Sequence, residues 1–306
     1  MVAPNRSTSP PSVGQADAVN RFCAPPLAVD AAVRRALDED LTPLGDLSAS
    51  LIDPARVATA VFVAREAGVL AGVDCARRTF ELVDVSVQMD WSCADGDRLA
   101  PGTVVATVSG RLGSILTAER TALNFLGHLS GIASVTRRFV DAAAVGGPAR
   151  IWDTRKTTPG LRALEKAAVR AGGGANHRGN LSEWIMVKDN HLAGGSITDL
   201  VATARQSWPG RIVHVECDRI DQVREAVGAG ADALLLDNMT PGQVGDAVAL
   251  VGELVGDRRT APLVEASGGI TLDTVASYAA AGVDCISIGG LTNSAGVLDI
   301  GLDLAG

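Results

Sequence analysis

A parallel α/β barrel of about six strands, preceded by a separate α+β domain, is the fold this sequence predicts. Two observations carry it. After Gly147, short continuous apolar runs alternate with helix-length amphipathic segments, the rhythm of parallel strands joined by crossover helices. Polar residues then close each run: Asp153 and Arg155, Lys188 and Asp189, Glu216, Asp237 and Asn238, Ser267, Gly289 and Gly290. In a barrel such ends converge on one mouth, where barrel chemistry sits. A wound open sheet fits the same rhythm but spreads these residues along an edge.

The elements follow in order. The first residues are rich in Pro, Ser and Thr and lack an apolar leader core, so they read as a tail. From Pro26, LAVDAAVRRALDED has apolar residues at helical spacing. VATAVFVAREAGVLAG reads as a β-branched strand ending in a glycine turn, VDCARRTFELV as a helix, VSVQMDWSC and TVVATVSG as strands. GSILTAERTALNFLGHLSGIASVTRRFVDAAA is a long helical stretch with breaks expected at Gly127 or Gly131. The repeating units then run ARIWD and PGLRALEKAAVRAG, WIMVKD and SITDLVATARQSW, RIVHVECD and RIDQVREAVGAG, ADALLLDN and PGQVGDAVALVGEL, PLVEASGG and TLDTVASYAAAG, and a last strand VDCISIGG. The expected division is a tail over 1–25, an N-terminal domain over 26–130 and a barrel over 131–290, with 291–306 packing back on the first domain.

Composition narrows the function. The 306 residues are 47% hydrophobic and 20% charged, which excludes disorder as the main state, and no apolar run is long enough to span a membrane. The net charge of −8 argues against nucleic acid and anionic membranes as partners, and 3% aromatics leave little for base stacking. Five scattered cysteines form no CxxC pair and suit a reducing cytoplasm.

Against that acidic background, several cations project toward one mouth. Arg155 and Lys156 follow a strand; His177 and Arg178 follow the glycines 172–174, whose backbone would let an anion approach; Lys188 ends the apolar run WIMV. A solvated loop or a tight turn explains each of these taken singly. Glu216 and Asp237 end strands where carboxylates can meet a divalent cation or sugar hydroxyls, and the glycines closing the last two strands suit a phosphate. Together they describe a pocket for a small, strongly anionic ligand with a phosphate end, a phosphosugar or nucleotide rather than a polymer.

These stretches resemble the quinolinate phosphoribosyltransferase family. The matching segments include LDEDLTPLGDLS, ERTALNFLGHLSGIAS, DTRKTTPGLR, NHRGNLSEWIMVKDNH, LLLDN, EASGGI and ISIGGLT, in order over nearly the whole chain. The resemblance implies an N-terminal α/β sandwich joined to an incomplete barrel, and a head-to-tail homodimer. It implies transfer of phosphoribosyl from PRPP to quinolinate with decarboxylation, needing Mg²⁺ and no organic cofactor. The positions matching the quinolinate pocket are Arg155, Lys156, His177, Arg178 and Lys188, with Arg120 reaching in from the partner subunit. Glu216 and Asp237 match contacts to ribose and metal, the latter through PRPP and water, and Ser267, Gly268 and Gly289 contacts to the 5′-phosphate; Lys156 and Lys188 also face the pyrophosphate. Lys156, Lys188, Glu216 and Asp237 form the implied catalytic group. Asn180, Glu183 and Trp184 depart from the family pattern beside Arg178, leaving the shape of that wall open. Three rival readings are a type II phosphoribosyltransferase acting on nicotinate or another anionic base, a type I phosphoribosyltransferase, whose strand-acid-Thr motif LLLDNMT resembles although Asn238 replaces the second acid, and a non-catalytic phosphosugar-binding barrel.

Overall fold

The structure, a computed structural model, describes residues 23–305 apart from Ala193 and Arg258. The tail expected over 1–25 lies outside the described residues except for Cys23, Ala24 and Pro25. Helix α1 (Pro26–Leu41) starts with proline in its first turn, where no amide hydrogen is needed. There follow strands β1 (Val57–Ala64) and β2 (Gly68–Val69), helix α2 (Val73–Val83), and strands β3 (Gln88–Trp91), β4 (Arg98–Leu99) and β5 (Val104–Arg111). Helix α3 (Leu112–Gly146) is 35 residues long. The repeating units are β6 (Arg150–Trp152), α4 (Arg162–Ala171), β7 (Ile185–Val187), the short α5 (Asp189–Leu192), α6 (Ile197–Ser207), β8 (Val213–Cys217), α7 (Ile220–Gly228), β9 (Ala233–Asp237), α8 (Pro241–Val255), β10 (Leu263–Ser267), α9 (Val275–Ala280) and β11 (Cys285–Ser287). A short α10 (Gly290–Asn293) and β12 (Ile300–Leu304) complete the described chain.

Strands β6 to β11 form one parallel sheet in the order β6-β11-β10-β9-β8-β7. Its two edge strands do not pair with each other, so the barrel is incomplete. Part of the gap is filled by the segment after α4: Ala175 bridges Trp152 in parallel, donating its N–H to Ile151 and accepting that of Asp153. An antiparallel sheet in the order β12-β1-β5-β3 forms the N-terminal sandwich. Residues 300–304 supply its edge strand by pairing with 60–64.

Helix α3 runs unbroken through both Gly127 and Gly131, and across the domain boundary expected at 130/131. The reason is contact rather than propensity. A Cβ on Gly131 would collide with the carbonyl oxygen of Gly296, and one on Gly127 would press within 3.1 Å of that of Leu298. The glycines are slots through which the returning segment 296–298 crosses the helix, and the amide of Leu298 bonds the carbonyl of Gly127. Residues of α3 enter both cores: Leu126 packs with Phe62 and Phe80 under the first sheet, and Ile132 joins Leu234, Leu236 and Ile286 of the barrel. Among the described residues no helix is long and apolar enough to cross a membrane.

The glycine slots predict opposite signs for one chemical change. Gly131→Ala should destabilise by about 1–3 kcal/mol, as overpacking against a backbone does. Gly245, inside α8 with open space where a Cβ would sit, should gain about 0.5–1 kcal/mol on the same substitution. Urea unfolding of both variants measures this, and equal stabilities would contradict the slot.

Candidate active site

Register decides which side chains share the barrel interior. Glu216 pairs with Leu235, and Asp237 lies two residues further along the same strand, so the two carboxylates point to one face. Asp237 pairs with Ser267, Ser267 with Ser287 and Ser287 with Trp152. Met186 pairs with His214, which places Lys188 and Glu216 on that face too. Lys188, Glu216, Asp237 and Ser267 therefore meet at the strand ends, with His214 and Glu265 one step deeper. The ammonium of Lys188 is in direct contact with the carboxylate of Glu216. Asp237 accepts a 2.7 Å bond from the side chain of Asn238, and Ser267 accepts one of 3.0 Å from Ser287.

The cationic wall is built on Asp153, which is completely buried. Its carboxylate contacts the ammonium of Lys166 and accepts from the amide of His177 at 2.8 Å and the side chain of Asn176 at 2.6 Å. Burial pushes Asp153 up and Lys166 down, and their mutual attraction opposes both shifts. Lys166 also donates to the carbonyl of His177 at 2.8 Å. Arg162 ties the next turn down by bonding Thr157, Gly179 and the carbonyl of Arg155. Lys156 follows, exposed, its carbonyl held by Thr292 at 2.6 Å. A Cβ on Gly289 would approach the Lys156 side chain to 2.9 Å, so this glycine makes room for the lysine. Gly268 has φ of +94° and sits against the side chain of Asn238, so a Cβ there is excluded twice.

Two guanidiniums stand together without a matching anion. Arg178 is 7% exposed, and burial followed by the neighbouring Arg155 charge pushes it down. Its recorded bond goes to the neutral carbonyl of Trp184 at 3.3 Å. Arg155 has a buried Nε with no hydrogen-bond partner. No carboxylate pairs with either among the described residues.

Some expectations change. Glycines 172–174 cradle no anion: Cβ atoms on Gly172 and Gly174 would clash with Thr136 of α3, so they are packing glycines. Asn180 and Glu183 bond within their own loop, Glu183 accepting from the amide of Gly179 at 2.7 Å. Trp184 turns into the barrel, its ring 4.9 Å from that of His177 and 6.4 Å from those of Trp152 and His214. His177 itself is 7% exposed and lies among these rings, as withdrawn from water as its neighbour Arg178. Arg120 is exposed on α3, with no ion-pair partner among the described residues, and it is not brought to the strand ends of its own barrel by any hydrogen bond among them. Sequence reasoning missed Lys166, Asn176, His214 and Glu265; the only signal was a polar residue inside an apolar run, as in VHVEC and LVEAS. A cavity of about 900 Å³ lies between α1, α2 and α4, lined by Asp30, Arg77, Arg78, Lys166 and Asn176. It reaches Lys166, Asn176 and His177 at the back of the cationic wall but none of Lys188, Glu216, Asp237 and Ser267, so its size does not make it the candidate site.

Comparison with known proteins gives a consistent answer. The family described as "Quinolinate phosphoribosyl transferase, N-terminal domain" matches residues 46–130, and its C-terminal domain matches residues 132–303. The chain is 43% identical over 270 residues to a probable nicotinate-nucleotide pyrophosphorylase [carboxylating] of Synechocystis, covering 87% of this chain and 89% of that one. It is 43% identical over 276 residues to the nicotinate-nucleotide pyrophosphorylase [carboxylating] of Mycobacterium leprae, covering 89% and 95%. Its structure is similar to that of the nicotinate-nucleotide pyrophosphorylase from Francisella tularensis, with a TM-score of 0.87, 34% identity and coverage of 93% and 98%.

Burial gives the site a pH signature. His214 is driven down from 6.5 to about 4, chiefly by desolvation. Between those values the unfolded chain carries a proton on this ring that the folded chain does not. Stability should therefore be full above pH 6.5 and fall, by up to about 3 kcal/mol, as pH drops toward 4. Urea midpoints across that range, compared with those of His214→Gln, isolate this contribution; the variant should show a shallower slope.

Proposed function

The chain belongs to the quinolinate phosphoribosyltransferase family, and from that premise we infer that it transfers phosphoribosyl from PRPP to the ring nitrogen of quinolinate. The 2-carboxylate leaves as carbon dioxide, giving nicotinate mononucleotide and pyrophosphate for NAD biosynthesis. One observation carries the substrate assignment: Arg155 and Arg178 are neighbouring guanidiniums, largely withdrawn from water, with no carboxylate of their own. Quinolinate brings two adjacent carboxylates, which such a pair can clamp in fixed geometry. A monocarboxylate would leave one of the cations unmatched.

In this reading Lys156 and Lys188 face the pyrophosphate, and Ser267, Gly268 and Gly289 bind the 5′-phosphate. Glu216 and Asp237 stand near the ribose, where fixed negative charge suits the positive character that develops as pyrophosphate leaves. Magnesium fits these groups. They are hard oxygen donors, and each keeps one oxygen clear, Glu216 of Lys188 and Asp237 of Asn238. When bound through PRPP and water, the ion supplies neutralisation of charge on the departing pyrophosphate. After transfer the pyridinium nitrogen withdraws charge from C2, so decarboxylation needs positioning and a dry pocket. Trp152 and Trp184 wall off that side. The lone pair of the quinolinate nitrogen needs no general base. Phosphorylated substrates that a cell retains fit a cytoplasmic setting.

The reading also includes a shared site. Arg120 is exposed, with no ion-pair partner among the described residues, on the half of α3 that serves the N-terminal sandwich. Two-fold pairing would bring it over the partner's mouth and build two equivalent sites.

An assay with quinolinate, PRPP and Mg²⁺, following release of carbon dioxide and nicotinate mononucleotide, tests the function. Arg155→Ala and Arg178→Ala should each cost about 2–5 kcal/mol in kcat/KM for quinolinate. Wild-type values in both would remove the clamp. For the shared site, Arg120→Ala and Lys188→Ala subunits are co-expressed with different affinity tags. A random mixture makes half the dimers mixed, each with one intact site, so about a quarter of wild-type activity should return. Isolated mixed dimers no more active than the parent variants would place Arg120 in its own subunit's site or outside any.

A further inference from the structure

One buried group of titratable side chains remains without a role. Glu265 sits in the middle of β10, completely buried, and its carboxylate oxygens meet no donor at full hydrogen-bond geometry, the side chains of His177 and Ser287 being the donors that face it. Two imidazoles face it, His177 Nε2 at 3.4 Å and His214 Nε2 at 3.5 Å from the same oxygen. The two rings stack 5.8 Å apart at 28°. Both Nε2 atoms also lack hydrogen-bond partners. An isolated carboxylate in such an interior is strongly disfavoured, so at least one of these nitrogens must present a proton to it.

The surroundings decide which. His214 is 1% exposed and bonds the backbone of Leu234, which occupies its other nitrogen and leaves Nε2 as a lone pair when the ring is neutral. His177 has no such competing bond at its ring. Its backbone is fixed instead, the amide on Asp153 and the carbonyl on Lys166. Trp152 and Trp184 enclose the ring with centroids at 5.8 and 4.9 Å. The other charged groups about this cluster are Arg178, next in the chain, and Arg155, whose charge bears on Arg178. His177 is therefore the donor to Glu265, through Nε2.

We propose that Glu265 is a positioning residue for His177: its buried carboxylate holds the imidazole by Nε2–H and stabilises the imidazolium that forms when a dianion enters the mouth, so that quinolinate binds with uptake of a proton. The proton comes from solvent and goes to Nδ1, and no bond of the ligand changes. The identity of the dianion rests on the functional reading above, whereas the hold of Glu265 on the ring rests on the geometry alone. The physical advantage is charge on demand. Arg155 and Arg178 are always charged and already repel each other; a further permanent cation beside them would add to that repulsion in the empty pocket. A histidine, unlike an arginine, is able to take up its charge with the ligand and give it up again.

Two measurements test this. Long-range ¹⁵N spectra of the ligand-free protein report the tautomer of each of its four histidines, with His177 assigned by its loss in His177→Asn. The parent should show His177 as the Nε2–H tautomer, and Glu265→Gln a mixture of the two. Calorimetric titration of quinolinate in buffers of different ionisation enthalpy counts protons. The parent should take up about one, and Glu265→Gln and His177→Asn almost none. Quinolinate affinity should weaken about tenfold in Glu265→Gln, the size of a lost charge-assisted contact, with PRPP affinity unchanged. A parent tautomer protonated at Nδ1, or equal proton uptake in parent and variants, overturns the proposal. So does a stoichiometric metal ion co-purifying on His177, His214 and Glu265, which would make them a ligand set. If Glu265→Gln does not fold, the parent tautomer and the proton count in His177→Asn decide. A folded parent that binds no quinolinate overturns the functional reading and the proton uptake together, while the tautomer still decides whether Glu265 holds the ring.

Discussion

The buried carboxylate of Asp153 is the point on which the candidate site depends. The parallel sheet is not closed by strand pairing, since β6 and β7 remain its edges. What holds the intervening segment against β6 is one bridge at Ala175 and then Asp153, which takes the amide of His177, the side chain of Asn176 and the ammonium of Lys166. These bonds join the end of β6, helix α4 and the segment carrying His177 and Arg178. Arg155 leaves the same strand end two residues later. The relative placement of the two guanidiniums is thus set by a group that touches neither. A buried carboxylate with three partners is costly to rearrange, because removing any one leaves charge or a lone pair unsatisfied.

Around this node the charges fall into two kinds. Lys188 is neutralised by Glu216, and Lys166 by Asp153, so each is at rest in the protein alone. Arg155 and Arg178 are not. Holding two like charges together in a partly desolvated wall stores repulsion that only an anionic ligand relieves, and a ligand with two adjacent carboxylates relieves it best. The chain's overall net charge of −8 makes this patch a local exception to the protein's field. Preorganised cations of this kind need not reorganise when the ligand arrives, which is how a site converts fixed structure into binding and rate.

The long helix α3 links the two halves. Its first half carries Thr117 and Thr121, which bond Asp46 and Asp40 of the N-terminal region, and its second half packs on the barrel. Because Gly127 and Gly131 admit the segment 296–298, the chain can return after the barrel and add β12 to the first sheet. The two halves are thereby interlocked by sequence-distant segments rather than joined by a linker.

Much of this was legible in the sequence. Continuous apolar runs announce strands buried on both faces, and the polar residue ending each one marks the mouth, because only there can a side chain leave the core without leaving the strand. That was enough to bring Arg155 with Lys156, Lys188, Glu216 and Asp237 forward as candidates, whereas Arg178 came forward from its glycine-rich loop. A glycine, however, reads alike whether it frees the backbone for an anion or makes room for another chain, and the neighbour that distinguishes them is far away in sequence. For Gly127, Gly131, Gly172 and Gly174 the neighbour proved to be protein. Likewise Glu265, His214 and Lys166 lie within apolar patterns, and nothing local says whether a buried polar residue has found a partner. Periodicity and motif order alone were sufficient for the βα rhythm and the family. Which charges are paired and which stand without a counter-ion among the described residues emerged from the folded chain, since pairing is a matter of distance between residues that lie far apart in sequence.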